Sequence, residues 1–332
     1  MPLPLLAWAA IGATGLFRAK KTLDAVSDNS KASDINSEAN SIVEKAKARI
    51  NSCKDASGSS LKALGTKKAQ VLDSEIKRFL DLYTQLKNVD FRDTPGLDEF
   101  SKFRIDAQDL RGLRDMSDFA GSLVGGTVTG TAAGALTAFG AYSGVMALGT
   151  ASTGAAISGL AGAAATNATL AFLGGGSLAA GGLGMAGGMA VLSGLVAAPA
   201  LAVLGLFMGS SASKNLDNAR SNRAKARQFS EEMEAAATLC NGIRRRSYMF
   251  ERLLMRLESN LHNANTALRS AISTYGTDYR YFSQDGKKTT AAAASLAKAV
   301  KTILDTPILT EDGSLTPESL TAANDVRKIL PA

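Results

Sequence analysis

Between Asp34 and Val89 the apolar residues Ile42, Ala46, Ile50, Leu61, Leu64, Val71, Ile76, Phe79, Leu82 and Leu86 recur mostly three or four positions apart, or at sums of these, with charged residues between them. That spacing gathers them on one helical face, because a turn takes 3.6 residues. Gly58 and Gly65 interrupt the run and mark its weak point. A second stretch, Leu216 to Ile272, behaves the same way through Phe229, Met233, Ala236, Leu239, Ile243, Phe250, Leu253, Leu254, Leu257, Leu261 and Leu268. Each arm of roughly 55 residues would extend about 80 Å as a continuous helix. Neither can hide its stripe alone, so the expected fold is all-α, two long arms paired antiparallel with a Gly/Ala-rich helical hairpin or head between them.

The chain between the arms has no such alternation. From Phe119 to Ser213 it runs 95 residues without Lys, Arg, Asp, Glu or His, and it holds 22 of the 32 glycines. A solvent-facing stretch of that length would carry charge, so this block is buried in protein, in membrane, or in each at different times. Breaks at Gly149 to Gly154 and at Gly174-Gly175-Gly176 leave apolar segments near 119–148, 151–173 and 177–209. Each is longer than the roughly 20 residues a helix needs to cross a bilayer core.

Small residues recur four apart within the block: Gly121 with Gly125, Gly126 with Gly130 and Gly134, Gly140 with Gly144, Gly154 with Ser158 and Gly162, Gly184 with Gly188, Gly205 with Gly209. On a helix such stripes let another backbone approach closely, as in membrane helix pairs, although a water-soluble bundle also uses them. Much of the block is Gly, Ala, Ser and Thr, which gain little on insertion, so permanent insertion of every segment is marginal. Met189 to Met208 is the best single candidate, with Pro199 as a tolerable kink. Length, lack of charge and low hydrophobicity together point to a block packed away in one state and exposed to lipid in another. The third segment reads as re-entrant or soluble, which would return both arms to one side.

The expected organisation is therefore 1–21 as an apolar segment, 22–118 as the first arm, 119–213 as the block, 214–275 as the second arm and 276–332 as a small helical tail. The first segment lacks a basic n-region and a cleavage site, and reads as an uncleaved anchor or a helix packed on the bundle. In the tail, Tyr275, Tyr279, Tyr281 and Phe282 suit a small core or an interfacial belt. Gly286 reads as closing a turn before a helix from about Thr289 to Leu304, and Thr316-Pro317 as the cap and first residue of a last helix.

Charge changes the picture only modestly. The formal net charge is +7, spread over both arms, and aromatic residues make up only 6%. That is unlike the basic face with interleaved aromatics of a nucleic-acid binder. Lys214, Arg220, Arg223, Lys225 and Arg227 follow the block directly, where they suit anionic lipid headgroups or, more blandly, a solvated helix face. Cys53 and Cys240, one in each arm, do not make a disulfide scaffold, and the expectation is a reducing, cytoplasmic compartment.

Motifs for catalysis fall away on inspection. Gly182-Leu183-Gly184-Met185-Ala186-Gly187 matches a dinucleotide-loop pattern without a preceding strand or an acidic residue before Asp217. Asp93-Thr94-Pro95-Gly96 resembles a GTPase motif, but no phosphate-cradling loop accompanies it. His262 is the single histidine and sits on a charged helix. The expectation is a protein that is not an enzyme and uses no cofactor or metal.

The run from Phe139 to Val203, the opening MPLPLLAWAA with Lys20-Lys21, and Gly242-Ile243-Arg244-Arg245-Arg246 together resemble a widespread group of bacterial glycine-rich helical proteins. That resemblance implies the helical fold and carries no activity or site residues. The layout of two amphipathic arms around an apolar hairpin is also similar to apolipoprotein L proteins and helical pore-forming toxins. The expected function is conditional insertion of the block to permeabilise a bilayer, with anionic lipid as partner and a homo-oligomer as the inserted form. The alternative is a soluble helical scaffold with the block as a packed head.

Overall fold

The computed structural model describes residues 6–91, 105–124, 136, 139–141, 216–310 and 314–330, and the long elements among them are all helices. The first arm consists of α1 (Leu6–Val71), a π-helical turn (Leu72–Ile76) and α2 (Lys77–Tyr83). Helix α3 (Ala107–Val124) leads into the uncharged block, and α4 (Leu216–Tyr275) is the second arm. The tail holds a 3₁₀ turn (Tyr279–Tyr281), α5 (Gln284–Asp305) and α6 (Pro317–Ile329). The chain divides into two compact units, Met1–Ser52 with Val196–Thr238 and Cys53–Leu195 with Leu239–Ala332.

In the first unit Ala32, Ala39, Val43, Ala46 and Ile50 are buried, with Asn36 half-buried between them, so the seam advances by alternating steps of four and three. Ala219, Asn222, Ala226, Phe229, Met233 and Ala237 are buried at similar steps on α4. This is heptad packing of two helices. In the second unit the α1 seam passes through Ser57, Ser60, Leu64 and Lys68, and the α4 seam through Cys240, Ile243, Ser247, Phe250, Leu254, Leu257 and Leu261.

Cross-arm bonds fix the direction. In the first unit Asn222 Nδ2 donates to Asn36 Oδ1 at 3.0 Å and Arg49 donates to Glu234 at 2.7 Å, partners 186 and 185 residues apart. In the second unit Ser57 donates to the Cys240 carbonyl, Lys67 pairs with Glu258 and Asn265 donates to Glu75, at separations of 183, 191 and 190. A nearly constant separation means that both helices advance together, so within each unit the arms run parallel. The antiparallel expectation is overturned. An apolar stripe has no polarity along its helix, so the residue pattern leaves the direction open and the cross-arm bonds reveal it.

The Asn36–Asn222 pair, half-buried on the Asn36 side, favours this register, since the two amides meet in one alignment only. A double-mutant cycle of Asn36→Val and Asn222→Val in urea denaturation should give a coupling of about 1 kcal/mol. The double variant should regain stability through its apolar seam.

Other expectations shift in detail. Helix α1 continues through the expected boundary at residue 21 and through Gly58 and Gly65 without a break. The irregularity lies instead at the π turn, where the Ser117 hydroxyl of α3 donates to the Leu72 carbonyl at 3.0 Å. Gly286 does not close a turn: it lies in the first turn of α5, its N–H donating to the Ser283 hydroxyl at 3.1 Å. Pro317 starts α6 as expected, but the Thr316 hydroxyl donates to the Pro307 and Ile308 carbonyls instead of capping the helix. Tyr279 and Phe282 join the core with Val300, Ile303, Ala323 and Val326 of the tail, whereas Tyr281 is 71% exposed. Cys53 and Cys240 carry free thiols at seam positions that the parallel register brings together, and burial pushes the Cys240 thiol up. Among the described residues no helix is long and apolar enough to cross a membrane.

Candidate functional site

The block's first residues meet the first arm within the second unit, and α3 prepares that meeting. Asp106 and Asp109 cap the start of α3 reciprocally, each carboxylate accepting the other's backbone N–H, at 2.7 and 3.1 Å. Lys298 of α5 reaches both Asp109 oxygens at 2.6 Å, tying the tail to α3. Leu113, Met116 and Ala120, spaced three and four apart, face the common core. A Cβ at Gly121 would lie 3.3 Å from the Asp73 carboxylate of the π turn.

Beyond α3, the described residues Leu136, Phe139, Gly140 and Ala141 lie against α1. A Cβ on Gly65 would collide with the Leu136 carbonyl oxygen and stand 3.0 Å from the Gly140 nitrogen. One on Gly140 would collide with the Leu61 carbonyl oxygen and stand 3.1 Å from the Gly65 nitrogen. The two backbones touch because neither glycine has a side chain. Gly65, read from sequence as a weak point, is a contact surface, and Gly58, with nothing within 4 Å, is the glycine without a packing reason.

One helical turn beyond Gly65, Lys68 is fully buried. Its Nζ donates to the Phe139 carbonyl at 2.9 Å and lies 5.4 Å from the centroid of the Phe139 ring. Burial pulls the ammonium down to about 7 from its ordinary 10.5, opposed by the charge of Asp305 at the end of α5, which also binds Lys301. Phe139 meets Phe119 edge to face with centroids 5.9 Å apart. The Ala141 carbonyl accepts from the backbone N–H groups of Ile308 and Leu309 at 2.8 and 3.2 Å. Residues 139–141 are thus clasped by α1 on one side and by the chain after α5 on the other.

Of the glycines expected to form packing stripes, Gly121 and Gly140 are described and both face the first arm. Gly125, Gly126, Gly130, Gly134, Gly144, Gly154, Gly162, Gly184, Gly188, Gly205, Gly209 and Pro199 lie outside the described residues, as do Lys214, the 182–187 motif and Asp93 to Gly96. Arg223 and Arg227 of the expected headgroup cluster reach Glu38 of the first arm at 3.2 and 3.8 Å, Arg220 lies 3.5 Å from Asp217, and Lys225 is exposed. Lys68 was missed in the sequence. Its signal is a lysine at seam spacing after Leu61 and Leu64, where an apolar residue belongs.

His262 joins a second polar cluster, its Nδ1 2.9 Å from Glu75 and 3.1 Å from Arg78 Nη1. Asn265 Nδ2 donates at 3.0 Å to both the carbonyl and the carboxylate of Glu75, so this cluster ties the π turn to α4. Among the described residues no group of three His, Cys, Asp or Glu side chains could hold a metal ion. No protein-family model, curated protein or solved structure matches the chain.

Proposed function

We propose that this is a membrane-active helical protein that holds the start of its uncharged block against the first arm and inserts the block into a bilayer when that clasp opens. The observation that carries the reading is the fully buried Lys68 inside the glycine contact of α1 with Leu136 and residues 139–141. Burying an ammonium costs free energy that an apolar residue would not, so the clasp is weaker than its shape allows. A scaffold with a permanent head has no use for that weakness. A segment that must be released does. The 95 uncharged residues supply enough chain to enter lipid, and their modest hydrophobicity keeps insertion conditional.

The scaffold alternative has one observation in its favour, the packing of Phe139 and Ala141 into the same core as the arms and the tail. Detergent-free protein mixed with dye-loaded anionic vesicles across pH 5 to 8 separates the two readings. Flotation with the vesicles and release of dye is the expected result. A protein that stays monodisperse and leaves the dye trapped throughout would be a scaffold.

A further inference from the structure

We infer that the outer face of the second arm between Arg245 and Met255 docks on an anionic lipid surface. This rests on the membrane-active reading and names where the protein first touches the bilayer. Arg245, Tyr248, Arg252 and Met255 follow at steps of three, four and three, and all are exposed, Tyr248 to 50% and Met255 to 45%. They form one stripe on the side of α4 opposite the seam residues Ile243, Ser247, Phe250, Leu254 and Leu257, all buried. The helix is therefore amphipathic twice over, with one face committed to the first arm and the other presented outward.

The charge on this face favours an anionic surface. Glu251 is the one acidic residue between Arg244 and Met255, against Arg244, Arg245, Arg246 and Arg252. Arg246 is turned toward the tail, to the Thr316 carbonyl and the Ser319 hydroxyl, and Glu258 further on is held by Lys67. Among the described residues no carboxylate forms an ion pair with Arg245 or Arg252, in contrast to Arg223 and Arg227 at Glu38. Tyrosine and arginine place an apolar body beneath a polar tip, which suits the headgroup boundary. An acidic partner helix would need a continuous apolar seam to bury, and two apolar positions do not supply one. A lipid surface asks only for shallow burial of Tyr248 and Met255 with guanidinium groups at the phosphates.

The test is flotation of the full chain with phosphatidylcholine vesicles, with and without phosphatidylserine, scored separately from dye release. Wild type should bind the phosphatidylserine vesicles more tightly and lose binding as salt rises. Each arginine contributes about fivefold near such a surface, so Arg245→Gln with Arg252→Gln should weaken binding roughly 25-fold. Tyr248→Ser with Met255→Ser should also weaken it, and circular dichroism should show both double variants folded, since these side chains are exposed. Equal binding to both vesicle types, or unchanged binding by the arginine variant, overturns the inference even if dye release persists. Retention by soluble polyglutamate but not by vesicles would reassign the face to an acidic polypeptide. Arginine-dependent binding without dye release would leave the docking face standing and remove the permeabilising role.

Discussion

Replacing Lys68 by methionine should stabilise the second unit by about 1–4 kcal/mol at pH 7, the order of gain found when buried ionic groups give way to apolar ones of similar volume. Methionine keeps the length of the side chain and a favourable contact with the Phe139 ring, and it gives up the bond to the Phe139 carbonyl. The sign of the pH dependence follows from the burial. The lysine binds its proton with a pKa of about 7 when folded and about 10.5 when exposed, so between those values the unfolded state holds more proton. Stability should rise as pH increases from about 7 to about 10.5 and lose this dependence below pH 7, where both states are protonated. Urea denaturation at a series of pH values should show this slope in wild type and its loss in Lys68→Met. A variant that is less stable and keeps the slope would remove Lys68 as the weak element of the clasp. In the vesicle assay the same variant should release less dye, because a stronger clasp holds the block in place.

Gly65→Leu should act in the opposite direction and cost about 3 kcal/mol, at the upper end for overpacking, because the atoms it meets are backbone and cannot rotate away. The variant should lift Leu136 and residues 139–141 off α1 while both arms stay helical. Hydrogen exchange at Ile308 and Leu309 reports this directly, since their amides donate to the Ala141 carbonyl, and both should lose protection. Gly58→Ala provides the contrast within the same helix. Nothing lies within 4 Å of its added carbon, so it should gain about 0.5–1 kcal/mol from helix propensity and leave those amides protected. Equal protection in Gly65→Leu and wild type would mean that the glycine contact does not hold the block. Under the proposed function, Gly65→Leu should release dye more readily than wild type.

The helices and most of their buried positions were legible in the residue pattern because helical periodicity is local: Leu216 to Ile272 marked the second arm and α4 spans Leu216–Tyr275, although the seam buries Val43 and Ala237 where the pattern offered their neighbours Ile42 and Ala236. The length and lack of charge of the block were equally plain, and so was the start of the last helix at Pro317. The direction of the arms was not legible. Ala39, Val43 and Ala46 make the same stripe whichever way a partner runs, and the parallel pairing shows only in cross-arm bonds such as Asn36 to Asn222, Arg49 to Glu234, Ser57 to Cys240, Lys67 to Glu258 and Asn265 to Glu75. The meaning of Gly65 and Lys68 was likewise hidden, since each depends on what Leu136, Phe139 and Gly140 bring against it from about seventy positions away. Periodicity within one segment determined which residues are helical and which side of each helix is buried. Tertiary structure alone decided what faces that side, because contacts between distant segments depend on backbone approach and polar pairing that no single segment encodes.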